Sequence, residues 1–507
     1  MNDNNTVSVS ILNGKFLSKS FGMDSVDGKV SDEILHDRFN GLLHYLKYRY
    51  EYIYIPKDID PESFTKLETS EIQKLMGESL EQIISKSISA SAINSINKGL
   101  NSFLSDLEQE LGTYTYRTKG DRQQNIQKRD VYNLITKAFF RIRKLNKKHN
   151  NEWIEISSLS SGEKQRAIID IAYGFLTNHR ESGDNIILAI DEPESSLHMS
   201  ACFEQFERLF LISKNTHQVL FTSHWYGYLP TVEDGCTTSI IKNDSEHSFD
   251  LYDLASYREE VRANIKSNHQ SMPIDIKIKS VNDLIQSIIT SCISDNHYNW
   301  IICEGTTEKK YLSHYLNDLI SNKRLRIVPV GGASEVKKIY KLLEASYDEF
   351  KKHMKGKIFL LSDTDAEFIN YETQRMEHIF NKRIVNKEEK TYLVDISSNP
   401  LSPQTEIEDC LNPKIFIEVL KSFLTTNPEI LNIIPQLDVV DETKPSFSIM
   451  DLGPSSKKIL DNFFDQKGVK YEFSKRYVES SASDNLRPQW IDLIEEFFTS
   501  DKPVKFH

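Results

Sequence analysis

The sequence predicts a multidomain α/β protein, and three observations carry that reading. The chain has 507 residues, more than one hydrophobic core supports, so several domains are expected. Short apolar runs ending in polar or acidic residues alternate with helical patterns twice, from Trp153 to about Tyr257 and from Tyr298 to about Cys410. Hydrophobic residues make up 39% and charged residues 27%, the balance of a soluble globular chain.

Taken in order, "TVSVSILNGK" (6–15) alternates polar and apolar residues and reads as a strand and turn. "YEYIYIP" (50–56) is a second strand, closed by Pro56. From Asp60 to Leu111 apolar residues recur at three- and four-residue spacing, which predicts helix with one packing face. A polar connector (116–130) leads to another helix, "VYNLITKAFFRIRKL". "DNIILAIDEPESSLH" and "HQVLFTSHWYG" each hold a short apolar run of the kind found in buried parallel strands. The polar stretch 258–280 reads as a boundary. Then come "NWIICEG", "TTEKKYLSHYLNDLI", "LRIVPVGG", "ASEVKKIYKLLEASYDEF" and "KIFLLSDTDAE", a β-α-β-α-β series, with "TYLVDIS" a further strand. That order implies a mostly parallel sheet covered by helices.

The formal net charge of −12 argues against coating nucleic acid with the whole surface. Three basic stretches, 141–149, 322–326 and 351–357, are candidates for a local groove, though each by itself reads first as a solvated helix or loop face. Five cysteines (202, 236, 292, 303, 410) show no CxxC and no zinc spacing, which fits a reducing cytosol. There is no apolar run of membrane-spanning length and no signal-peptide pattern, so a cytoplasmic protein with no membrane partner is expected.

The first chemical cluster lies in "SLSSGEKQRAIIDIAYGFL" (158–176) and the two strands after it. Ser160, Ser161, Gly162 and Glu163 form a turn that opens a helix, where backbone amides and a hydroxyl can face phosphate. Asp191 and Glu192 end an apolar strand, where an aspartate can hold Mg²⁺ through water and a glutamate can orient an attacking water. His224 ends the next strand and is placed to sense a γ-phosphate. This half resembles the ATPase head of the ABC class, in the branch shared by SMC and RecF-like DNA-repair ATPases. The resemblance makes Ser160 and Gly162 signature residues, Asp191 and Glu192 the Walker B pair, His224 the switch histidine, and "ESSLH" (194–198) the stand-in for the D-loop. It also implies a homodimer or higher homo-oligomer, since a signature acts across a subunit boundary.

Such heads carry a Gly-rich P-loop, yet G-x-x-x-x-G-K-[ST] is not matched anywhere in 1–507, and "GKFLSKS" (14–20) lacks the glycine spacing. The expectation is that ATP binding is impaired and turnover absent. Either the natural start lies upstream, or the head is a scaffold.

The second cluster is acidic. Glu304 ends one strand and Glu308 falls in the next helical turn; Asp363 and Asp365 end another strand, with Glu367 after them; Glu406, Glu408 and Asp409 follow in "TEIEDCL". Carboxylates this dense repel unless a divalent cation neutralises them, and oxygen ligands suit Mg²⁺ or Mn²⁺, two of which could drive phosphodiester hydrolysis. Glu-Gly-x-x-Glu followed by Asp-x-Asp in this frame resembles the TOPRIM domain of topoisomerases, primases and related nucleases.

An ABC head joined to a TOPRIM domain resembles the OLD family of ATP-dependent nucleases. That resemblance divides the chain into 1–57 (head remnant without a P-loop), 58–150 (helical arm or dimerisation insertion), 151–275 (the second head lobe), 285–415 (a Rossmann-like TOPRIM domain) and 416–507 (its C-terminal extension). It implies a Mg²⁺- or Mn²⁺-dependent DNA endonuclease or nickase. Glu304, Asp363 and Asp365 would bind the first metal, Glu308 and Glu408 would complete or bridge to the second, and Lys470 in "KYEFSKRY" would assist, with Lys475 the spare. It further implies antiphage defence, alone or beside a partner such as a helicase or a retron reverse transcriptase with its msDNA. The alternative is an inactive scaffold that binds nucleotide or nucleic acid without cutting.

Overall fold

The computed structural model describes residues 41–500 except 42–43, 61–63, 65, 67–68, 77–79, 113–115, 117–124, 141–142, 150, 180–181, 244–245, 262–273, 365–370, 398–403, 438, 440, 451 and 481–485. The strand expected at 6–15, "GKFLSKS", Asp365 and Glu367 lie outside the described residues. By contacts the chain forms two compact units, one of residues 1–197 and 208–223, the other of 198–207 and 224–507. Among the described residues no helix is long and apolar enough to cross a membrane.

In the first unit, β1 (Glu51–Ile55) precedes helices α1 (Ser70–Met76), α2 (Leu80–Ser87), α3 (Ala90–Leu111) and α4 (Lys128–Phe140). A hairpin of β2 (Asn146–His149) and β3 (Glu152–Glu155) leads to α5 (Ser161–Gly174), β4 (Ile186–Asp191), α6 (Met199–Ser213) and β5 (Gln218–Thr222). Among the described residues the unit's sheet runs β1-β4-β5, all parallel. Alternation sets its faces: Ile53 and Ile55 are buried while Tyr52 and Tyr54 are 47% exposed. Ile186, Leu188 and Ile190 of β4 join Ile168, Ile169 and Ala172 of α5 and Leu209 and Ile212 of α6 in one core.

Among the described residues the helical pattern of 60–111 includes the separate helices α1, α2 and α3. Ser89 caps α3 by accepting from the Ala92 amide, and Gly112 ends it. On α3 only Ile93 is buried, and Ile96, Leu100 and Phe103 are exposed. The helix is tied down by polar contacts instead: Asn97 bonds both the amide and the carbonyl of Ile126, at 2.9 Å each.

In the second unit, β6 (Cys236–Asn243) and β7 (Glu246–Asp253) form an antiparallel hairpin. Next come α7 (Ile274–Ile293), β8 (Asn299–Cys303), α8 (Thr306–Tyr315), α9 (Asn317–Asn322), β9 (Leu325–Pro329), α10 (Ala333–Phe350) and β10 (Ile358–Ser362). They are followed by β11 (Ile379–Lys387), β12 (Lys390–Asp395), α11 (Pro413–Lys421), α12 (Pro454–Phe464), α13 (Val469–Ser480) and α14 (Gln489–Thr499). The sheet order is β12-β11-β10-β8-β9, parallel except for β12. β8 and β10 are buried along their whole length, as strands covered on both faces must be. From β8 the chain moves outward to β9 and then crosses back past β8 to β10. Connections therefore leave β8 and β10 in opposite directions, and a crevice opens at their carboxyl ends.

The C-terminal helices belong to this same core. Phe416, Leu420, Phe463, Phe473, Tyr477, Trp490 and Ile494 pack with Ile301, Tyr311 and Phe359. Tyr477 of α13 is fully buried; its hydroxyl accepts from the Asn412 amide at 2.9 Å and bonds Tyr315 Oη at 2.9 Å. Asn412 in turn caps α11. Replacing Tyr477 by Phe keeps the ring but orphans the buried Asn412 amide. We expect a loss of about 1–3 kcal/mol of stability, read from urea unfolding; an unchanged midpoint would show that this bond holds nothing.

Candidate functional site

The acidic cluster of the second unit is assembled by strand register. Ile358 and Leu360 of β10 pair with Trp300 and Ile302 of β8, so the residues just past these strands emerge side by side. There the Asp363 amide donates to Glu304 Oε1 at 2.9 Å. The Glu304 carbonyl accepts from the amides of Gly331 and Gly332, at 2.7 and 2.9 Å, which fixes that strand end. Thr364 and Thr405 form an antiparallel bridge, with 2.9 Å bonds in both directions. That bridge carries the segment 405–410 to the same edge, bringing Glu406, Glu408 and Asp409 with it. Glu408 is held from behind, since Ser446 Oγ donates to its carbonyl at 2.5 Å. Lys470, in the first turn of α13, reaches Glu406 Oε2 at 2.8 Å, whereas Lys475 is exposed on the same helix.

The electrostatics record the crowding. Burial, then the charges of Glu308, Glu304, Glu408 and Glu406, push the Asp363 carboxyl well above its usual range. Burial raises Glu308, lifts Glu408 to about 8 and Asp409 to about 6. Burial works against the Lys470 ammonium, but Glu408, Glu406 and Asp363 outweigh it and raise its pKa. Glu408 Oε1 has no hydrogen-bond partner among the described residues although Glu408 is only 4% exposed. Also among the described residues, no group of three or more His, Cys, Asp and Glu side chains is already arranged to hold a metal ion. The donor set is nonetheless all oxygen, which suits a hard divalent cation.

The sequence pattern passed over two charged residues beside these groups. Glu259 Oε1 accepts from the Thr306 amide at 2.6 Å, at the start of α8. Lys309 is buried, and its ammonium donates to the carbonyls of Thr231 and Val232, at 3.2 Å each. Glu259 lies in a polar stretch that reads as a boundary, and no periodicity marks it.

The other cluster sits at the carboxyl ends of β4 and β5 in the first unit. Asp191 pairs with Thr222 in register, and Thr222 Oγ1 donates to Asp191 Oδ1. The Glu192 amide donates to Thr222, and Glu192 Oε2 meets Lys57 Nζ at 2.6 Å. Lys57, just past β1, carried no signal in the sequence. Ser160 is the N-cap of α5 in a full capping box with Glu163: its hydroxyl donates to Glu163 Oε2 at 2.9 Å. Ser161 and Gly162 are the first residues of that helix. His224 is exposed and falls in the second unit.

Gly162 permits a close approach. A Cβ there would lie 2.5 Å from the Ser196 carbonyl oxygen, and Ser196 itself holds a left-handed φ of 65°. Helix propensity alone would make Gly162→Ala stabilising by about 1 kcal/mol. The clash with backbone outweighs this, and we expect a net destabilisation of about 1–3 kcal/mol, measured as a lowered thermal or urea midpoint. A more stable variant would show that the approach of Ser196 to this helix is not rigid.

Residues 10–225 match the family model of the AAA ATPase domain. That span holds the Ser160–Glu163 turn, the Asp191–Glu192 pair and His224. The crystal structure of Stu0660 of Streptococcus thermophilus is similar over 56% of this chain and 73% of its own, at 12% identity and a TM-score of 0.27, too loose a likeness to carry an argument. No curated protein matches the chain. The chain thus contains an AAA ATPase-like domain, built on a parallel sheet in a mixed α/β protein.

Proposed function

We propose that the second unit is a metal-dependent phosphodiesterase acting on DNA, an endonuclease or nickase of the OLD type with a TOPRIM-like site, and that the AAA ATPase-like domain regulates it. The observation that carries this reading is the joining of Glu304, Asp363 and the 405–410 segment at one sheet edge, through the Asp363 amide and the Thr364–Thr405 bridge. Glu304, Glu308, Asp363 and Glu408 would hold Mg²⁺ or Mn²⁺, with Asp365, outside the described residues, as the remaining expected ligand. The ions when bound would supply an activated water and neutralise charge on the scissile phosphate. Glu304 is fixed through its backbone by Gly331 and Gly332 and through its carboxylate by the Asp363 amide, which would hold it in place before substrate arrives. Lys470, paired with Glu406, would stabilise charge on a non-bridging oxygen. DNA as partner, a homo-oligomer as the working form, and antiphage defence beside a helicase or retron are proposals from the family resemblance. A second reading, an inactive scaffold, is favoured by the absence among the described residues of a preformed three-donor group.

Nicking of supercoiled plasmid separates the two. With Mg²⁺ or Mn²⁺ the wild-type chain should open the plasmid, and Asp363→Asn should cut at least about 100-fold more slowly. Nicking that persists unchanged in the variant, or none in wild type with either ion, would remove the nuclease reading.

Stability should also depend on pH in the metal-free protein. Asp363, Glu308, Glu408 (about 8) and Asp409 (about 6) have raised native pKa values, against about 4 when unfolded. From about pH 5 to 8 the native state therefore holds protons the unfolded chain has released, and stability falls as pH rises. We expect a lower melting temperature at pH 8 than at pH 5, with the gap narrowed by Mn²⁺ or by Asp363→Asn. A metal-free melting temperature that climbs toward pH 8 would contradict the electrostatics described above.

A further inference from the structure

β11 runs between β10 and β12, and Asn381, Lys382, Arg383 and Asn386 are buried on it. Polar side chains taken out of water need partners. Asn381 Nδ2 donates to Tyr371 Oη at 2.8 Å, and Lys382 pairs with Asp395 at 2.7 Å. Asn386 Nδ2 donates to the Asp409 carbonyl at 3.0 Å. Arg383 is 0% exposed, and its Nη1 donates to Thr364 Oγ1 at 2.9 Å. The same hydroxyl donates to the Ile384 carbonyl at 2.7 Å. Thr364 is one half of the two-way bridge to Thr405, and Thr405 Oγ1 accepts from the Asn386 amide at 3.1 Å. β11 therefore grips both halves of that bridge, Thr364 through residues 383 and 384 and Thr405 through residue 386.

Each half of the bridge leads to carboxylates. Asp363 precedes Thr364, and its amide holds Glu304 Oε1; Glu406 and Glu408 follow Thr405. Register sets Arg383 opposite Ser362, the last residue of β10, so its side chain meets the chain where these acids gather. A neutral donor would be enough to bond a threonine hydroxyl. A guanidinium stays charged in a protein, and burying it is costly. A fixed positive charge from the sheet interior is therefore what Arg383 adds beyond the hydrogen bond.

We propose that Arg383 is a positioning residue for the reaction at this edge: by its charged bond to Thr364 it sets the spacing between Asp363 and the 405–410 segment. It acts through Thr364 and touches neither substrate nor ion. The inference rests on the nuclease reading given above.

The test is nicking of supercoiled plasmid by the full chain with Mn²⁺, at a temperature where circular dichroism shows each variant folded. Arg383→Met keeps the length of the side chain and loses its charge and donors. It should lower kcat about 10–100-fold and leave KM for the plasmid within about threefold of wild type. Arg383→Lys, which keeps the charge and a donor, should fall between Met and wild type. Thr364→Val removes the hydroxyl that Arg383 holds, so the double variant Thr364→Val with Arg383→Met should stay within about threefold of the slower single variant. Losses that multiply in the double variant would overturn the role, as would a Lys variant no faster than Met or a defect confined to KM. A Met variant folded at no assay temperature would overturn it by making Arg383 structural. If wild type does not nick, the nuclease reading fails and this inference falls with it. If wild type nicks and Arg383→Met nicks as fast, only the role of Arg383 is overturned.

Discussion

The contact between the Asp363 amide and the Glu304 carboxylate is the constraint on which the second unit turns. It exists because β8 and β10 are adjacent and parallel, so both chains leave the sheet at the same edge. The neighbouring contacts gather acidic residues at that edge. The Gly331 and Gly332 amides grip the Glu304 carbonyl, the Thr364–Thr405 bridge imports Glu406 and Glu408, and α13 supplies Lys470. Taking ions out of water costs several kcal/mol each, and one lysine does not balance this many carboxylates. The raised pKa values of Asp363, Glu308 and Glu408 are that cost expressed as retained protons. The continuous apolar core beneath, from β8 through the C-terminal helices, supplies the stability that offsets it.

The first unit follows the same geometric rule with a different chemistry. Parallel strands again deliver polar side chains to one edge, here Asp191, Glu192 and Thr222, with Lys57 arriving from β1. Glu192 is engaged by a lysine and Ser160 by its own capping box. These groups are satisfied by one another within the unit. Such surface pairs are individually weak.

How much of this was legible depends on whether a residue's position follows from local pattern. Glu304, Asp363, Asp191 and Glu192 close apolar runs, and the end of a buried strand is a place that sequence marks clearly. The preference for Lys470 over Lys475 comes from the family resemblance; α13, which turns Phe473 and Tyr477 to the core, brings Lys470 to Glu406 and leaves Lys475 exposed. β11, whose sequence "IFNKRIVNK" mixes charge with apolar residues, was not visible as a strand; Lys382 pairs with Asp395, and Arg383 is buried with a bond to Thr364. The two antiparallel hairpins, β2–β3 and β6–β7, also went unread. They are short or carry much of their apolar surface outward, as Ile240, Phe249 and Leu251 do. The stripe along α3 predicts its helix but not its exposure, because periodicity says which residues share a face and not what covers it.

Sequence alone determined the α/β class, the strand ends that carry carboxylates and the capped turn at Ser160, since each follows from hydrogen bonding and burial within a few residues. Tertiary structure decided which of those ends meet. Glu259 beside Glu308, Lys57 on Glu192, and Gly162 beneath Ser196 depend on strand order and on the closure of long loops. Those are set by the packing of the whole core, and no local stretch of chain contains them.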